Sequence, residues 1–361
     1  MTTAAIPGRR DRPAARPVPW TRVTWVTWRQ YRATLVGVAA LLVVIAAYLA
    51  FMGWEIHRAY SAYSACLPAS LRDLSMWQAG VSLAVTPACG ARESAFMSFY
   101  GSGQGPVGAS GLNAQTVPFL LLAVPVLVGA FVGGPVLARE LESGTFRFAW
   151  TQGAGRVRLA IARLVPLAVV LTAAAYGLSA LFSWYIGPFL QAGVTGRYPM
   201  QLFGTMGTDF AAWTLFSFTL TAFAGVLLRR TVPAMAVSIV ALTTADVVTL
   251  MALRQHYLTP LTVTGTQPAG AGTWVVGSWF TTAGGVPVSQ NTVLAGFTHF
   301  QYDPYSSQTV AALASHHYLQ WWSYQPASRW WQFQLTEGGW LLAASLLLIA
   351  ATVLLIRRRP A

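Results

Sequence analysis

Six long apolar runs alternate with polar segments along this chain of 361 residues. A helix rises about 1.5 Å per residue and the hydrocarbon core of a bilayer is about 30 Å thick, so each run is long enough to cross it. The pattern predicts an all-α integral membrane protein with six transmembrane helices. The predicted spans are 34–54, 117–138, 164–186, 210–228, 233–253 and 338–356.

The composition supports the membrane class and excludes several chemistries. Hydrophobic residues make up 55% of the chain and charged residues 9%, about a third of the usual charged fraction. Every basic residue is arginine, so a phosphate-binding loop ending in Gly-Lys-Ser/Thr and lysine Schiff-base chemistry are excluded. No serine, histidine and acid set or paired carboxylates emerge either. We therefore predict that the chain is not an enzyme and that any ATP hydrolysis occurs in a partner subunit.

The distribution of arginine predicts the orientation, because short loops rich in basic residues stay in the cytoplasm. With the N-terminus inside, 17 of the 23 arginines fall in cytoplasmic segments. Both ends, residues 1–33 and 357–361, and the loop 139–163 are then cytoplasmic. The same bias explains the net charge of +13 without a nucleic-acid partner. The segments predicted to lie outside are 55–116, 187–209 and 254–337.

The region before the first span has two parts. Residues 1–19 are rich in proline and arginine and are expected to form a disordered tail. Residues 20–32 place most aromatic residues on one side of a helical wheel and arginines on the other, although Trp25 falls among the arginines. This pattern indicates an amphipathic helix in the membrane interface. The alternative is a basic flank of the first span.

Both cysteines of the chain, Cys66 and Cys89, fall in the first outside loop. A pair of cysteines outside the cell is typical of a disulfide in an oxidising compartment. Sequence spacing cannot show that two residues are close in space, so two unpaired thiols are the alternative.

The second predicted span combines helix-bending and close-packing residues. It contains Pro118, Pro125 and Pro135, which free backbone groups and bend a helix. Gly129 and Gly133 are four residues apart, which lets another helix approach closely. That helix belongs either to a second subunit or to the same one, and we favour packing within one subunit.

The segment 139–163 is the most charged insert between two spans. Orientation explains its arginines but not Glu140 and Glu142 next to the membrane. Gly144 is placed to end the preceding helix, and Thr145 can cap a short new one. Aromatic residues exposed on such a helix mark a docking surface. The helix would comprise residues 146–150 and expose Phe146, Phe148 and Trp150.

The run LARELESGTFRFAWTQGAGRVRLAIARL resembles the segment between the second and third spans of type-2 ABC exporter permeases, which have approximately the order R-E-x-E-x-G-T-x-R-x-x-x-T-Q-x-x-x-R. In that family the segment contains the coupling helix, which fits a groove on a separately encoded ATP-binding subunit. Ala154 and Gly155 depart from the residues frequent there, which leaves the exact loop shape open. The matching residues are Arg139, Glu140, Glu142, Gly144, Thr145, Arg147, Thr151, Gln152 and Arg156.

This resemblance implies the permease subunit of an ATP-driven exporter in a bacterial cell membrane. Two permease subunits would pair and face two ATP-binding subunits. ATP and Mg²⁺ would bind to those partners, and this chain would bind no cofactor. The cargo is not legible from the sequence.

A second stretch, YQPASRWWQFQLTE at 324–337, resembles the segment before the last span in many permeases of the same family. The resemblance implies short helices on the outer rim that cap the translocation pathway. Tandem histidines nearby, His316 and His317, have no accompanying ligand pattern, so we predict no metal site. The rim residues are Tyr324, Pro326, Arg329, Trp331, Gln334 and Glu337.

Asp246 is an acidic residue inside a predicted span, the fifth. A carboxylate at the centre of a spanning helix costs about 2.5 to 3.5 kcal/mol, so it should face protein or water. One interpretation is a functional group, in the translocation pathway or linked to a proton. The alternative is a carboxylate that is bonded to a threonine at 243, 244 or 249 or is hydrated near the membrane surface.

Two other functions stay open. A secondary, ion-coupled transporter would have several buried ionisable groups and internal repeats; Asp246 is the buried group that the sequence reveals, and no repeat is evident. A membrane-anchored sensor or assembly protein would bind through its large outside segments and would need no ATPase partner.

Overall fold

The computed structural model describes residues 20–67, 87–101, 111–143, 156–268, 272–295 and 302–358. In this part of the chain, six helices are long and apolar enough to cross a membrane. They confirm the predicted all-α membrane class and agree with the predicted spans to within several residues at most ends. We number them spans 1 to 6: Leu35–Cys66, Val117–Arg139, Val157–Gln191, Asp209–Leu228, Thr231–His256 and Ala327–Arg358.

Span 1 is the continuation of a single helix, Trp20–Cys66, of 47 residues. No proline interrupts it, so nothing in the sequence breaks its hydrogen-bond ladder. Its length of about 70 Å exceeds the thickness of a bilayer, and it therefore projects beyond the membrane. The basic aromatic stretch runs into the span without a turn, and its position in the membrane interface stays a prediction.

A disulfide fastens the outer end of span 1 to the short helix Pro87–Met97. Cys66 and Cys89 are bridged, with their Cα atoms 5.8 Å apart. Phe96 of the short helix is fully buried and stacks on Phe189 of span 3, with ring centroids 4.7 Å apart. The first outside segment is thus attached to spans 1 and 3 by a covalent bond and by aromatic packing.

Span 2 is bent and interrupted, as its prolines predict. A turn of π-helix lies in its middle, where the carbonyl groups pair one residue further along the chain than in an α-helix. Proline removes a backbone donor, and such local rearrangements satisfy the carbonyls that it frees. The pieces are the α-helices Val117–Leu121 and Ala123–Val128, the π-helix Gly129–Gly133 and the α-helix Gly134–Ser143.

Gly129 and Gly133 of span 2 pack against span 4 of the same subunit. A Cβ atom at Gly133 would lie 2.6 Å from the carbonyl oxygen of Phe218. Gly129 faces Ser217 and Thr221 on the same helix. The absence of side chains therefore permits the close approach, and the structure supports packing within one subunit.

The six spans together form what we call the helical domain. Span 4 lies at its centre and contacts spans 2, 3, 5 and 6. Spans 2 and 4 bury 61% of their most apolar stretch inside the subunit, whereas span 1 buries 6%. Apolar side chains on the outer spans, such as Val43 and Leu347, are strongly exposed. Lipid or a second subunit is expected to cover such a surface.

Spans 4 and 5 form an antiparallel pair joined by a tight turn. Arg229 ends span 4 in the left-handed conformation, with φ of 55°, and its N–H donates to the carbonyl of Gly225. A left-handed residue is a common way to end a helix. At its other end, span 5 finishes with the π-helix Thr249–Leu253 and a 3-10 turn, Arg254–His256.

The segment between spans 5 and 6 folds into an antiparallel sheet, which we call the outer sheet. Its strands are β1 (Leu261–Thr264), β2 (Trp274–Thr282), β3 (Pro287–Val288) and β4 (Tyr318–Gln325), and they lie in the order β1-β4-β2-β3. β-branched and aromatic residues dominate its strands, which favours this structure. Tyr324 lies in β4 and Ala327–Arg329 form one 3-10 turn, so the expectation of several short rim helices was wrong for the first part of that motif. Two short helices, Gln290–Ala295 and Ser307–Ser315, belong to the same segment.

Candidate functional site

The predicted coupling segment is described at both of its ends. The last helix of span 2 carries Arg139, Glu140 and Glu142, and the side chains of Arg139 and Glu142 are exposed. Arg156 begins the helix that contains span 3. The coupling helix itself stays a prediction, because the residues between these ends fall outside the described part of the chain. These are Gly144, Thr145, Phe146, Arg147, Phe148, Trp150, Thr151 and Gln152.

Glu142 binds the first residue of span 5. One oxygen of its carboxylate accepts hydrogen bonds from the N–H and the hydroxyl of Thr231, at 3.1 and 2.8 Å. The first N–H groups of a helix lack partners within it, and a negative charge is favourable there. The two hydrogen bonds from Thr231, and to a lesser extent the charge of Arg230, lower the pKa of Glu142. The end of span 2 is therefore attached to the start of span 5.

A cluster of charged side chains, which we call the outer charge cluster, joins the outer ends of spans 4, 5 and 6. It consists of Asp209, Arg254 and Glu337, which are 0%, 4% and 0% exposed. Nε and Nη2 of Arg254 donate to the two carboxylate oxygens of Glu337, at 3.0 and 2.7 Å. This paired geometry is the strongest that an arginine and a carboxylate can form.

Neighbouring aromatic residues hold the pair in place. The indole N–H of Trp213 donates to Glu337 at 3.1 Å. The guanidinium of Arg254 lies 4.0 Å from the centroid of the Phe203 ring. With its oxygens bonded on two sides, Glu337 is well satisfied despite its burial, which is the condition for a stable buried ion pair.

Asp209 occupies a different position in the cluster. Its carboxylate lies 3.9 Å from Nη2 of Arg254 and accepts no hydrogen bond from the residues that the structure describes. Its backbone N–H donates to the side chain of Gln334 at 2.9 Å, and the amide of Gln334 donates in turn to the carbonyl of Phe203. Gly207 is required here, because its φ is 68° and a Cβ would lie 2.7 Å from Gln334.

Asp246 lies about two turns before Arg254 on span 5 and is half-buried. It borders a cavity of about 110 Å³ between spans 2, 4 and 5, together with Trp213, Ser217 and Arg254. The hydroxyl of Thr244 donates to the backbone rather than to Asp246. Among the described residues, no side chain donates a hydrogen bond to Asp246, so the threonine-bonded alternative is not observed. Its role in a pathway stays a prediction.

The residues of the outer-rim motif connect the outer sheet to the helical domain. The hydroxyl of Tyr198 donates to the carbonyl of Pro326 at 3.0 Å, and burial raises the pKa of Tyr198 to about 12, so it remains a donor at neutral pH. Arg329 donates to the carbonyl of Thr259 at 2.8 Å. The motif thus fixes the start of span 6. Of its other members, Tyr324 pairs with Leu261 and Trp331 is half-exposed. Glu337 belongs to the outer charge cluster, and Gln334 binds the backbone N–H of Asp209.

The sequence did not reveal the partnership of Asp209 and Arg254 with Glu337. Each of the first two stands at the end of an apolar run, where a charge is usually read as a flank of the span. One signal in the sequence could have drawn attention to Arg254. It falls in a segment predicted to lie outside, where arginine is scarce. Metal binding gains no support from the described residues, because none of their histidine, cysteine and carboxylate side chains form a group of three or more that could hold an ion.

The fold and these contacts define a multi-pass, all-α membrane protein in which the end of span 2 is bound to the start of span 5, and buried charges join spans 4, 5 and 6. The chain belongs to the family described as ABC-2 membrane transporter related, which matches residues 39–254. The match confirms the resemblance to ABC-2 permeases and indicates a transporter that works with an ATP-binding partner. It includes the segment 139–163 and ends before the outer sheet. No curated protein and no solved structure matches the chain.

Proposed function

We propose that this chain is the permease subunit of an ATP-driven exporter in a bacterial cell membrane, with both termini in the cytoplasm. It pairs with a second permease subunit, and together they form the translocation pathway. ATP and Mg²⁺ bind to separate ATP-binding subunits, and this chain supplies no catalytic residue for hydrolysis. The segment 139–163 receives the motion of those subunits.

The contact between Glu142 and Thr231 is the observation that carries this proposal. It joins Glu142, at one end of the proposed coupling segment, to the first residue of span 5. Span 5 then runs without a loop to Arg254, which binds Glu337 of span 6. A displacement of the segment therefore acts on a helix that reaches the outer charge cluster.

The mechanism follows from these attachments. ATP-driven closure of the partner subunits pushes on residues 146–150 and tilts spans 2 and 3. Span 5 moves with span 2, because Glu142 holds Thr231. The cavity beside Asp246 is bordered by spans 2, 4 and 5, so a shift of spans 2 and 5 against span 4 changes its width. Such sliding of packed helices is a common way to convert a local push into opening.

One observation favours the alternative of a secondary transporter. The outer charge cluster and Asp246 are buried ionisable groups of the kind that ion-coupled carriers use. However, Glu337 and Arg254 satisfy each other, which suits a structural clamp. Transport by the purified protein in vesicles distinguishes the two functions, since the exporter requires ATP and its partner subunit, whereas the carrier requires only an ion gradient.

Copurification with the ATP-binding subunit tests the docking assignment. Deletion of residues 146–150 and Glu142→Lys should both release that subunit. Thr231→Pro removes both donors to Glu142, and the first turn of a helix tolerates proline. Arg230 is already extended, as the residue before proline must be. This variant should retain the partner subunit but lose ATP-dependent transport.

The matched control is Glu55→Lys on the outer part of span 1, which makes the same charge change and should leave the complex intact. If a stable complex survives both the deletion and Glu142→Lys, the segment does not dock the ATP-binding subunit. If Thr231→Pro transports normally, the contact with span 5 does not transmit the motion.

A further inference from the structure

A second cavity lies where spans 1 and 3 meet the outer sheet, away from the outer charge cluster. Its volume is about 660 Å³. Span 1 contributes His57 and span 3 contributes Trp184 and Gln191. Arg197 comes from the loop that follows span 3, and Ser328 from the 3-10 turn at the start of span 6. The membrane spans and the loops that connect them therefore both contribute to the wall of the cavity.

The lining carries a positive charge that no carboxylate balances. Arg197 is the one charged residue among the described residues of the wall, and no aspartate or glutamate borders the cavity. Its side chain is exposed, and within the described part of the chain no ion pair is formed by it. Its guanidinium lies 5.3 Å from the centroid of the Trp330 ring, and this contact helps to hold it in place.

Polar donors accompany this charge. Across the residues that the structure describes, no hydrogen bond engages the side chains of Gln191 or Ser328, both of which border the cavity. An arginine with nearby amide and hydroxyl donors is suited to the oxygens of a phosphate group. The chemistry of the wall therefore selects an anion.

The depth of the cavity indicates where the anion comes from. Trp184 stacks on His57, with ring centroids 4.5 Å apart, and is 41% exposed. Nδ1 of His57 donates to the carbonyl of Gly53 at 2.8 Å, which fixes the stacked pair. Both residues stand at the outer ends of apolar spans, where tryptophan marks the level of the lipid headgroups. A ligand at this level is in contact with the outer face of the bilayer.

We propose that this cavity binds the phosphate group of a phospholipid, with Arg197 as its charge partner, Gln191 and Ser328 as donors, and the Trp184–His57 pair packed beside the glycerol. Arginine pairs with phosphate oxygens through charge-assisted hydrogen bonds, as it does in the basic pockets between spanning helices that bind lipid headgroups on the cytoplasmic side of membranes. A lipid held here would join spans 1 and 3 to the start of span 6 and to Gly272, which precedes β2. This role does not depend on the proposed exporter function.

Native mass spectrometry of the delipidated protein tests the site. The protein is titrated with phosphatidylglycerol, phosphatidylcholine and diacylglycerol of identical chains. Both phospholipids should bind roughly tenfold more tightly than diacylglycerol, because only they carry the phosphate. Equal binding of diacylglycerol would overturn the proposal. A further arm uses soluble glycerol phosphate: displacement of the lipid only at a large excess supports a lipid ligand, and equal affinity of the soluble compound would overturn the lipid source.

Two single variants make the assignment specific. Arg197→Gln should weaken phospholipid binding roughly tenfold and leave diacylglycerol binding unchanged. Arg58→Gln is the matched control, because Arg58 is also an exposed arginine at the outer end of a span, lies over the Trp54 ring and does not border the cavity. If both variants weaken binding equally, the lipid is held by general surface charge and the site is not where we place it.

Discussion

Span 5 is held at both of its ends by a carboxylate from another span, but in opposite surroundings. At the start of span 5, the end predicted to be cytoplasmic, Glu142 is exposed to solvent and accepts two hydrogen bonds from Thr231. At the outer end, Glu337 is fully buried and binds Arg254 with both oxygens. The same side-chain chemistry therefore serves two different attachments.

The difference in burial decides how strong each attachment is. Water and salt screen an exposed polar contact and weaken it. A buried ion pair is costly to form, but loss of one partner leaves an unpaired charge and costs about 3 to 5 kcal/mol. Span 5 is thus held more firmly at Arg254 than at Thr231, which suits the proposal that motion enters at the Thr231 end.

The largest effect is expected for Glu337→Gln. This change leaves the buried Arg254 with only its 3.9 Å contact to Asp209 and should lower the free energy of unfolding by about 3 kcal/mol. Thermal unfolding of the purified protein in detergent measures it. Glu55→Gln, a half-exposed glutamate on span 1, is the control and should change little. Equal effects of the two variants would show that the buried cluster does not hold the outer end.

A smaller loss of about 1 to 3 kcal/mol is expected for Gly133→Ala, because the new methyl group has no room beside the Phe218 backbone. This packing of span 2 on span 4 helps to position Glu142. Gly177→Ala in span 3 is the control, since no atom lies within 4 Å of the added carbon. Where a helical glycine has free space around it, replacement by alanine stabilises the protein. An increase in the stability of the protein on Gly133→Ala would therefore contradict the close approach.

Asp209→Asn should cost about 1 kcal/mol, clearly less than Glu337→Gln, because the Asp209 carboxylate has one ion contact at 3.9 Å and accepts no hydrogen bond from the described residues. The same unfolding assay decides it. A loss as large as that of Glu337→Gln would mean that Asp209 is the main partner of Arg254.

The smallest effect is expected when the pH is changed and the contact between Glu142 and Thr231 is measured. The pKa of Glu142 is lowered in the folded protein from its ordinary value of 4.5. Its contact is therefore fully present above that value and is lost as the pH falls through the lower folded value. Hydrogen-exchange protection of the Thr231 amide, corrected for the intrinsic rate, should not change between about pH 5 and pH 8. Glu142→Gln should weaken that protection, and a loss of protection near neutral pH in the unaltered protein would contradict the assignment.

Hydropathy was sufficient to predict the helical domain. Each span of this chain is a long apolar run, and the double arginine at 229 and 230 interrupts the apolar sequence where span 4 turns into span 5. These features are local, so they can be read from neighbouring residues. The glycine pair of span 2 also predicted a close helix approach, although its partner, span 4, had to be observed.

Contacts between distant residues could not be predicted in this way. Glu337 and Arg254 are separated by 83 residues, and each alone resembles a charge at a span boundary. The outer sheet was missed for a similar reason, since β1 pairs with β4 across the whole segment that separates them. Short strands carry a weak local signal, and their stability depends on pairing that a single sequence does not show.

Labelling of an introduced cysteine in intact cells tests the central claim, that the segment 139–163 lies in the cytoplasm. The two native cysteines are bridged, so Phe148→Cys provides a free thiol at the proposed docking helix. Val286→Cys in the turn between β2 and β3 of the outer sheet, at a residue that is 61% exposed, is the control. A membrane-impermeant maleimide should label position 286 in intact cells and position 148 only after the membrane is opened. Labelling of position 148 from outside intact cells would contradict the account.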